Sequence, residues 1–157
     1  MLWRMNKPRL VRLTDIPQSC IGAPLPCMLC GSEFSFLLYI TQEPDPTWDG
    51  TQPPRLITAE DRTHTWAVIR FDGAYEHRIG GPNDEGLHEQ PLYKHGLRCH
   101  DAYEIFDSNA EESSDRRFIF TFKDHTFECS ARSFEVSFEQ GALREIASQI
   151  LLGSHDR

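Results

Sequence analysis

Alternating apolar and polar positions are the dominant pattern along the chain, and a period of two predicts β-strands. The clearest case is RRFIFTFKDHTFECSARSFEVSF, where every second residue is apolar on both sides of a polar turn at 123–125. These positions share one face, so the stretch predicts a hairpin or meander with an aromatic inner face. The positions are Phe118, Phe120, Phe122, Phe127, Cys129, Ala131, Phe134, Val136 and Phe138.

Earlier stretches show the same period. FSFLLYI, at 34–40, is apolar at nearly every position and predicts a strand buried largely on both faces. In WAVIRFD, Trp66 and Val68 share one face with Arg70. Asp72-Gly73 is typical of two-residue hairpins, so the following AYEHRIG is predicted to return as a second strand. AYEIFDS, at 102–108, predicts a further strand.

A helical period appears only near the C-terminus. In EQGALREIASQILLG the apolar residues recur three and four positions apart, which predicts an amphipathic helix that Gly153 can cap. Strands outnumber helices and no βαβ rhythm is found. We therefore predict an α+β, mainly β fold: a curved antiparallel sheet, barrel-like or a sandwich, with short helical turns near 83–96 and the C-terminal helix over one face.

The chain length indicates one domain. A chain of 157 residues can bury a real core but is too short for two ordinary domains. Within this domain, residues 1–8 are basic and predict a loose N-terminal arm. The Pro-rich stretch 43–54 predicts a surface loop. Trp48 is its one large apolar residue, and it either pins the loop to the body or covers a ligand.

Charge and cysteine usage narrow the possible partners and compartments. The net charge is −8, which argues against a general nucleic-acid binder, because such proteins neutralise phosphates with Lys and Arg. No apolar run reaches the roughly 18 residues of a membrane helix, and the N-terminus lacks a secretory signal. The five cysteines are odd in number and scattered. We therefore predict reduced thiols and a cytoplasmic protein without nucleic-acid or membrane partners.

Known cofactor and metal motifs are missing or incomplete. Cys27 and Cys30 have half the spacing of a zinc site but no second pair, so only distant ligands could complete one. Gly81 and Gly86 are spaced as in a phosphate loop, but the Lys and Ser/Thr that this loop needs are absent. Cys99 and His100 would point to opposite faces of a strand. We expect no cofactor and no metal.

The stretch GGPNDEGLHEQPLYKHGLRCHD is the best candidate for chemistry. Asn83 can cap a short helix in which Glu85 and His88, three positions apart, share one face. A second turn brings His95, and His77 arrives from the preceding strand. Carboxylate and imidazole together can perform acid–base chemistry near neutral pH. The candidate catalytic residues are Glu85, His88, His95 and His77, with Glu85 or His88 as the base and the other two orienting or protonating the substrate.

Besides a divalent-metal site formed by the carboxylate and imidazoles, three interpretations of this stretch remain open. In the first, it borders a pocket for a small organic molecule, with or without isomerase- or hydrolase-type proton transfer, and without a metal. In the second, it is only a connection that leucines 87, 92 and 97 tether to the core. In the third, the protein is a non-catalytic interaction module. Nine acids against two Lys/Arg between positions 81 and 115 would then meet a basic protein partner. The oligomeric state is left open.

The C-terminal block also resembles hypothetical bacterial proteins with an F-x-F-T-F-x-D pattern followed by F-E-C. Here the pattern covers about a quarter of the chain, with an echo in GGPNDE. The resemblance implies no activity. The matching residues are Phe118, Phe120, Thr121, Phe122, Asp124, Phe127, Glu128 and Cys129.

Overall fold

The secondary structure is mostly β. The computed structural model describes residues 7–20, 26–31, 34–42, 49–51, 53, 57–107 and 115–153. Within these ranges the elements are β1 (Arg9–Arg12), β2 (Cys27–Cys30), β3 (Phe34–Ile40), β4 (Thr65–Asp72), β5 (Tyr75–Gly80), two 3-10 turns (Leu87–Glu89 and Pro91–His95), β6 (Ala102–Phe106), β7 (Arg116–Thr121), β8 (Thr126–Ala131), β9 (Ser133–Gln140) and α1 (Leu143–Gly153).

The described strands form two antiparallel sheets. The large sheet has five strands in the order β1-β6-β7-β8-β5, and the small sheet has four in the order β2-β3-β4-β9. The two sheets share one apolar core, so the architecture is a sandwich rather than a closed barrel. The predicted α+β, mainly β fold with a C-terminal helix is therefore confirmed.

The core between the sheets is aromatic, as the alternating pattern predicts. The Phe71 ring of β4 lies 5.9 Å from Phe118, 5.9 Å from Phe120 and 5.5 Å from Phe127. Rings at such spacings bury large apolar areas and add favourable edge-to-face contacts. The inward residues of β7 and β8 thus form the centre of the molecule.

Helix α1 covers the outer face of the small sheet. Its Ile146 is 2% exposed and packs in a second cluster with Trp66 and Val68 of β4. The Trp66 Nε1 donates a hydrogen bond to the carbonyl of Gly141, 3.1 Å away, just before the helix begins. The predicted helix over one sheet face is confirmed, and it explains why β3 and β4 are apolar on both faces.

The connector, residues 81–101 between β5 and β6, covers the outer face of the large sheet. Leu87 and Leu97 are 2% and 0% exposed and pack on Ile119 of β7. The predicted helical turns near 83–96 are present as the two 3-10 turns. Leu92 is partly buried against the same cluster. The sandwich therefore has four layers: α1, the small sheet, the large sheet and the connector.

Two predicted strand pairings are wrong. The Asp72-Gly73 turn does not close a hairpin, because β4 pairs with β3 and β9 whereas β5 pairs with β8 in the other sheet. Similarly, β7 and β8 form the predicted hairpin, but β9 does not extend it into a meander and joins the small sheet instead. In both cases the chain crosses the core, so that Phe71 and Phe134 face the large sheet from above. Alternation specifies which face is buried but not which strand is the neighbour.

Some predictions lie outside the described residues. These are the N-terminal arm up to residue 6 and most of the Pro-rich loop at 43–54, including Trp48. Within the described ranges, no helix has both the length and the apolar character needed to cross a bilayer.

Candidate functional site

The polar start of the connector is held by local hydrogen bonds. The Asn83 side-chain oxygen accepts from the Gly86 amide at 2.9 Å, and the Asp84 carboxylate accepts from the Glu85 amide at 2.8 Å. The Asp84 amide donates to the Lys123 carbonyl at 2.7 Å, which ties the connector to the β7–β8 turn. Asn83 thus caps a backbone amide as predicted, but in the turn just before the first 3-10 turn.

Glu85 and His88 meet through the backbone rather than through their side chains. The His88 Nδ1 is 2.9 Å from the backbone carbonyl of Glu85, so this nitrogen is the protonated donor. The His88 side chain is 64% exposed, and its Nε2 lies 4.0 Å from a carboxylate oxygen of Glu89. Glu85 is exposed as well. No contact between the Glu85 carboxylate and the His88 ring appears in the described part of the chain.

The other two candidate catalytic residues, His95 and His77, lie on different parts of the fold. His95 ends the second 3-10 turn and is half-buried. His77 lies on β5, and its Nε2 contacts the hydroxyl of the buried Ser35 on β3. His77 therefore reaches the small sheet, whereas His88 and His95 lie on the connector over the opposite face of the large sheet. The structure does not bring His77 together with the other three, and the catalytic roles of all four stay predictions.

The connector's local bonds give a stability prediction. Asn83→Ala removes the acceptor for the Gly86 amide and is expected to lower the free energy of unfolding by about 1 kcal/mol. Glu85→Gln and His88→Gln change exposed side chains and are expected to shift it by less than about 0.5 kcal/mol. Urea denaturation of the three variants measures this difference. A larger loss in Glu85→Gln than in Asn83→Ala would show that the Glu85 carboxylate has a partner.

The half-motif of Cys27 and Cys30 lies on a strand rather than in a metal-binding turn. Cys27 packs with the apolar cluster beneath α1, and burial raises the pKa of its thiol. Cys30, three positions on, is exposed and belongs to the opposite face. Two thiols on opposite faces of a sheet cannot bind the same metal ion. The described residues contain no group of three or more side chains arranged to hold a metal.

The cysteines should differ sharply in reactivity. Burial raises the pKa of the Cys129 thiol from 9.0 to about 12, and the residue is 3% exposed. At pH 8 we expect iodoacetamide to modify the exposed Cys30 and to leave Cys129 unmodified until the protein unfolds. Peptide mass mapping with and without urea measures this. Modification of Cys129 at the rate of Cys30 in the native protein would contradict the core placement.

Cys99 and His100 do not form a thiol–imidazole pair. They lie in a turn before β6 rather than in a strand. The Cys99 thiol is 3.9 Å from the Asp84 carbonyl, and the His100 Nδ1 is 3.5 Å from the hydroxyl of Ser19. Burial, with a smaller effect of the Asp84 carboxylate, raises the pKa of the Cys99 thiol. A protonated thiol that points away from the neighbouring imidazole is a poor nucleophile.

The acidic stretch between 81 and 115 is partly neutralised by arginines from other elements. Glu104 is 8% exposed and forms a bidentate salt bridge with Arg116. The Arg116 Nε and Nη2 atoms donate to its two carboxylate oxygens at 2.8 and 2.7 Å. Two further acids in this stretch are paired with arginines. The pairs are Asp101 with Arg12 and Asp107 with Arg117. The acidic surface expected for an interaction module is therefore smaller than the sequence count suggests.

An open groove lies between α1 and the outer face of the small sheet. Its volume is about 460 Å³, within the usual range for small-molecule sites. Phe34 and Phe36 of β3 form one side, and Ile146 and Ile150 of α1 form the other. The groove lies toward the C-terminal end of α1, because Gly153 also lines it.

The groove has one cation and two acids beside its apolar walls. Arg70 of β4 lies in register between Phe36 of β3 and Glu135 of β9. Glu139, further along β9, lines the groove as well. Within the described residues, Arg70, Glu135 and Glu139 make no ion pair. Arg70 and Glu135 lie opposite each other on adjacent strands without a direct ion pair, so each can also contact a ligand.

Sequence reasoning did not identify this groove. It placed Arg70 on the face of Trp66 and Val68, and the structure confirms that arrangement. The signal in the sequence was Arg70 itself, a charged residue on an otherwise apolar face of a strand. The sequence could not show that α1 would leave this part of the face open.

Comparison of the chain with protein-family models, with curated proteins and with solved structures gave no match.

Proposed function

We propose that the protein binds a small organic molecule in the groove between α1 and the small sheet. The observation that carries the proposal is a cleft of about 460 Å³ with both apolar and polar walls, which contains an arginine without an ion-pair partner among the described residues. Binding sites typically combine an apolar lining with a few polar groups that fix orientation. The sequence predicted such a molecule beside the 77–101 segment. The groove is the better location because it is an open cleft of suitable volume.

The lining indicates what the ligand would offer. The rings of Phe34 and Phe36 favour a flat apolar or aromatic body. The Arg70 guanidinium would donate hydrogen bonds to a carbonyl, carboxylate or sulfonate group. Glu135 would accept a hydrogen bond from an N–H or O–H group on the same ligand. We therefore propose an amphipathic molecule with an apolar body and polar groups toward β9.

The experiment uses the aromatic sulfonate 1-anilinonaphthalene-8-sulfonate as a defined probe. We expect the folded protein to bind it with increased fluorescence, and Arg70→Gln to weaken binding by about tenfold or more through loss of a charge-assisted hydrogen bond. Fluorescence titration at fixed ionic strength measures the dissociation constant. The matched control is Arg144→Gln, which removes an exposed arginine of α1 that does not line the groove.

Two results would refute the proposed site. One is equal weakening by Arg70→Gln and Arg144→Gln, which would reflect only the loss of general positive charge. The other is wild-type probe affinity in Ile150→Glu, a change that places a carboxylate in the apolar wall of the groove. Circular dichroism of each variant shows whether it is folded before its affinity is compared.

We also propose a reducing compartment such as the cytoplasm. The five cysteines, which all lie within the described ranges, are free thiols. Scattered unpaired thiols of this kind fit a reducing environment better than an oxidising one.

A further inference from the structure

The edge strand β9 has a row of backbone groups that no described residue uses. The Thr41 amide donates to the Thr65 carbonyl at 3.0 Å, which fixes the bonding pairs between β3 and β4. Bonding residues alternate along an antiparallel strand, so the even-numbered residues of β4 bond toward β9. Trp66 and Val68 pair with Glu139 and Ser137, so the odd-numbered residues of β9 face β4. The even-numbered residues of β9 therefore point their N–H and C=O groups outward.

Next to this edge, the large sheet extends beyond the small sheet. The Phe71 ring of β4 lies 5.5 Å from Phe127 of β8, and the Phe134 ring of β9 lies 5.3 Å from Phe118 of β7. In the large sheet, β6 and β1 follow β7 on the side away from β8. Within the described ranges, no strand of the small sheet lies opposite β6 or β1. The large sheet thus extends past β9 by two strands, which leaves an open position beside β9. Leu13 and Ile16, which follow β1, pack against the core cluster but form no strand there.

The inner side of the open position has exposed apolar side chains beside charges that are already paired. Arg116 binds Glu104 and lies over the Phe118 and Phe134 rings, and Arg9 lies over the Phe106 ring. Val11 of β1 and Phe106 of β6 point to the core side of the large sheet, yet they are 36% and 38% exposed. Phe138 of β9 is 56% exposed, although Val136, two residues earlier on the same face of the strand, is partly buried. A strand placed beside β9 would cover these side chains, as happens when a peptide completes a sheet.

The outer side of the same position is acidic. Glu135 and Glu139 of β9 lie on the α1 side of the small sheet and make no ion pair among the described residues. Opposite charges on adjacent strands stabilise a sheet, and like charges destabilise it. The net charge of −8 adds a long-range attraction for a basic partner. The residues that face these acids on an added strand should therefore be Lys or Arg.

We infer that β9 accepts an extended peptide from another protein, with apolar and basic residues in alternation. The apolar residues cover Val11, Phe106 and Phe138, and the basic residues lie opposite Glu135 and Glu139. The backbone of the peptide bonds to the outward groups of Phe134, Val136, Phe138 and Gln140. This binding activity shares Glu135 and Glu139 with the wall of the groove but uses the backbone edge of β9 rather than the cleft. It gives the interaction-module interpretation a specific surface.

A second copy of the chain fits this edge poorly. In a β9–β9 pair, the two edge strands would lie about 4.8 Å apart. The large sheet of each copy, however, projects two strands beyond β9, and each added strand takes about another 4.8 Å. The projecting strands of the two copies would collide. A single free peptide strand has no such second sheet.

The test uses fluorescein-labelled peptides eight residues long, the length of β9. The peptides are alternating Val-Lys, alternating Val-Glu and a block isomer with four Val followed by four Lys. We expect fluorescence anisotropy to show binding of alternating Val-Lys, at least about tenfold weaker binding of the other two, and weakening with salt. Equal binding of the block isomer would overturn the proposal, because charge alone would then explain it.

A pair of variants at one position tests the backbone contact. Phe138→Pro removes an outward N–H but no bond to β4, whereas Phe138→Ala keeps the N–H. We expect Phe138→Pro to bind alternating Val-Lys at least about fivefold more weakly than Phe138→Ala does. Equal affinity of the two variants would overturn the proposal. The sulfonate probe should bind both variants equally, so failure at β9 is distinguishable from failure of the groove.

Hydrogen exchange of the wild-type protein provides a readout that does not depend on the folding of a variant. With alternating Val-Lys bound, the outward amides of Val136 and Phe138 should exchange at least about tenfold more slowly. The Ser137 amide, which already faces β4, should change little. Unchanged exchange at Val136 and Phe138 under saturating peptide would overturn strand addition.

Discussion

Replacing Phe120 with alanine is expected to lower the free energy of unfolding by about 3–5 kcal/mol. The Phe120 ring is 2% exposed and lies 5.9 Å from Phe71 and 5.9 Å from Phe127, both edge-to-face. Its removal would open a cavity between two sheets whose other side chains are already packed. The backbone of β7 and β8 cannot collapse into that space without breaking the register of the large sheet.

Urea denaturation followed by tryptophan fluorescence measures this loss. The matched control is Phe138→Ala. It makes the same phenylalanine-to-alanine change on strand β9, where the side chain is 56% exposed. We expect the control to lose less than about 1 kcal/mol. Similar losses in both variants would contradict the placement of β7 at the centre of the core.

Replacing Trp66 with alanine is expected to have an effect of similar size, about 3–5 kcal/mol, on the other side of the small sheet. Trp66 is fully buried beneath α1 and packs with Ile146. Its indole N–H also fixes the Gly141 carbonyl at the approach to the helix. The substitution therefore removes both apolar contact and the hydrogen bond that positions α1.

Trp66→Phe separates these two contributions, because it keeps most of the apolar volume and loses the hydrogen bond. We expect it to lose about 1–2 kcal/mol, and we expect Leu152→Ala, at a position 69% exposed, to lose less than about 0.5 kcal/mol. The helical signal in circular dichroism and the midpoint of urea unfolding are measured together. A stable Trp66→Ala variant with full helical signal would mean that α1 does not depend on this contact.

The sequence predicted local structure well because local structure follows from periodicity. The period of two in β7 and β8 and the three-to-four spacing in α1 each define one apolar face. Both faces pack on the core, although Leu151 of α1 is 42% exposed. The sheet assignment of β5 and β9 could not be predicted in this way. A strand with one apolar face can pair in either sheet of a sandwich, and the choice depends on contacts such as Phe134 with Phe118 that are remote in sequence.

The candidate sites show the same limit. Turn residues such as Asn83, and the leucines beside them, predicted the connector and its attachment to the core. Whether His77 approaches His88 depends on which face of the large sheet each one occupies, and the sequence does not specify this. The groove combines Phe36, Arg70 and Ile150, which are far apart along the chain and adjacent only because α1 packs on the small sheet.

The location of the bound small molecule can be measured by isotope-filtered NOE spectroscopy with the anilinonaphthalene sulfonate probe. In protein with labelled methyl groups, the groove predicts NOEs from the probe's ring protons to the methyl groups of Ile146 and Ile150. The NOEs to the Ile146 methyl groups should disappear in Ile150→Glu. NOEs confined to the methyl groups of Leu87, Leu92 or Leu97 would instead place the molecule beside the connector and contradict the groove.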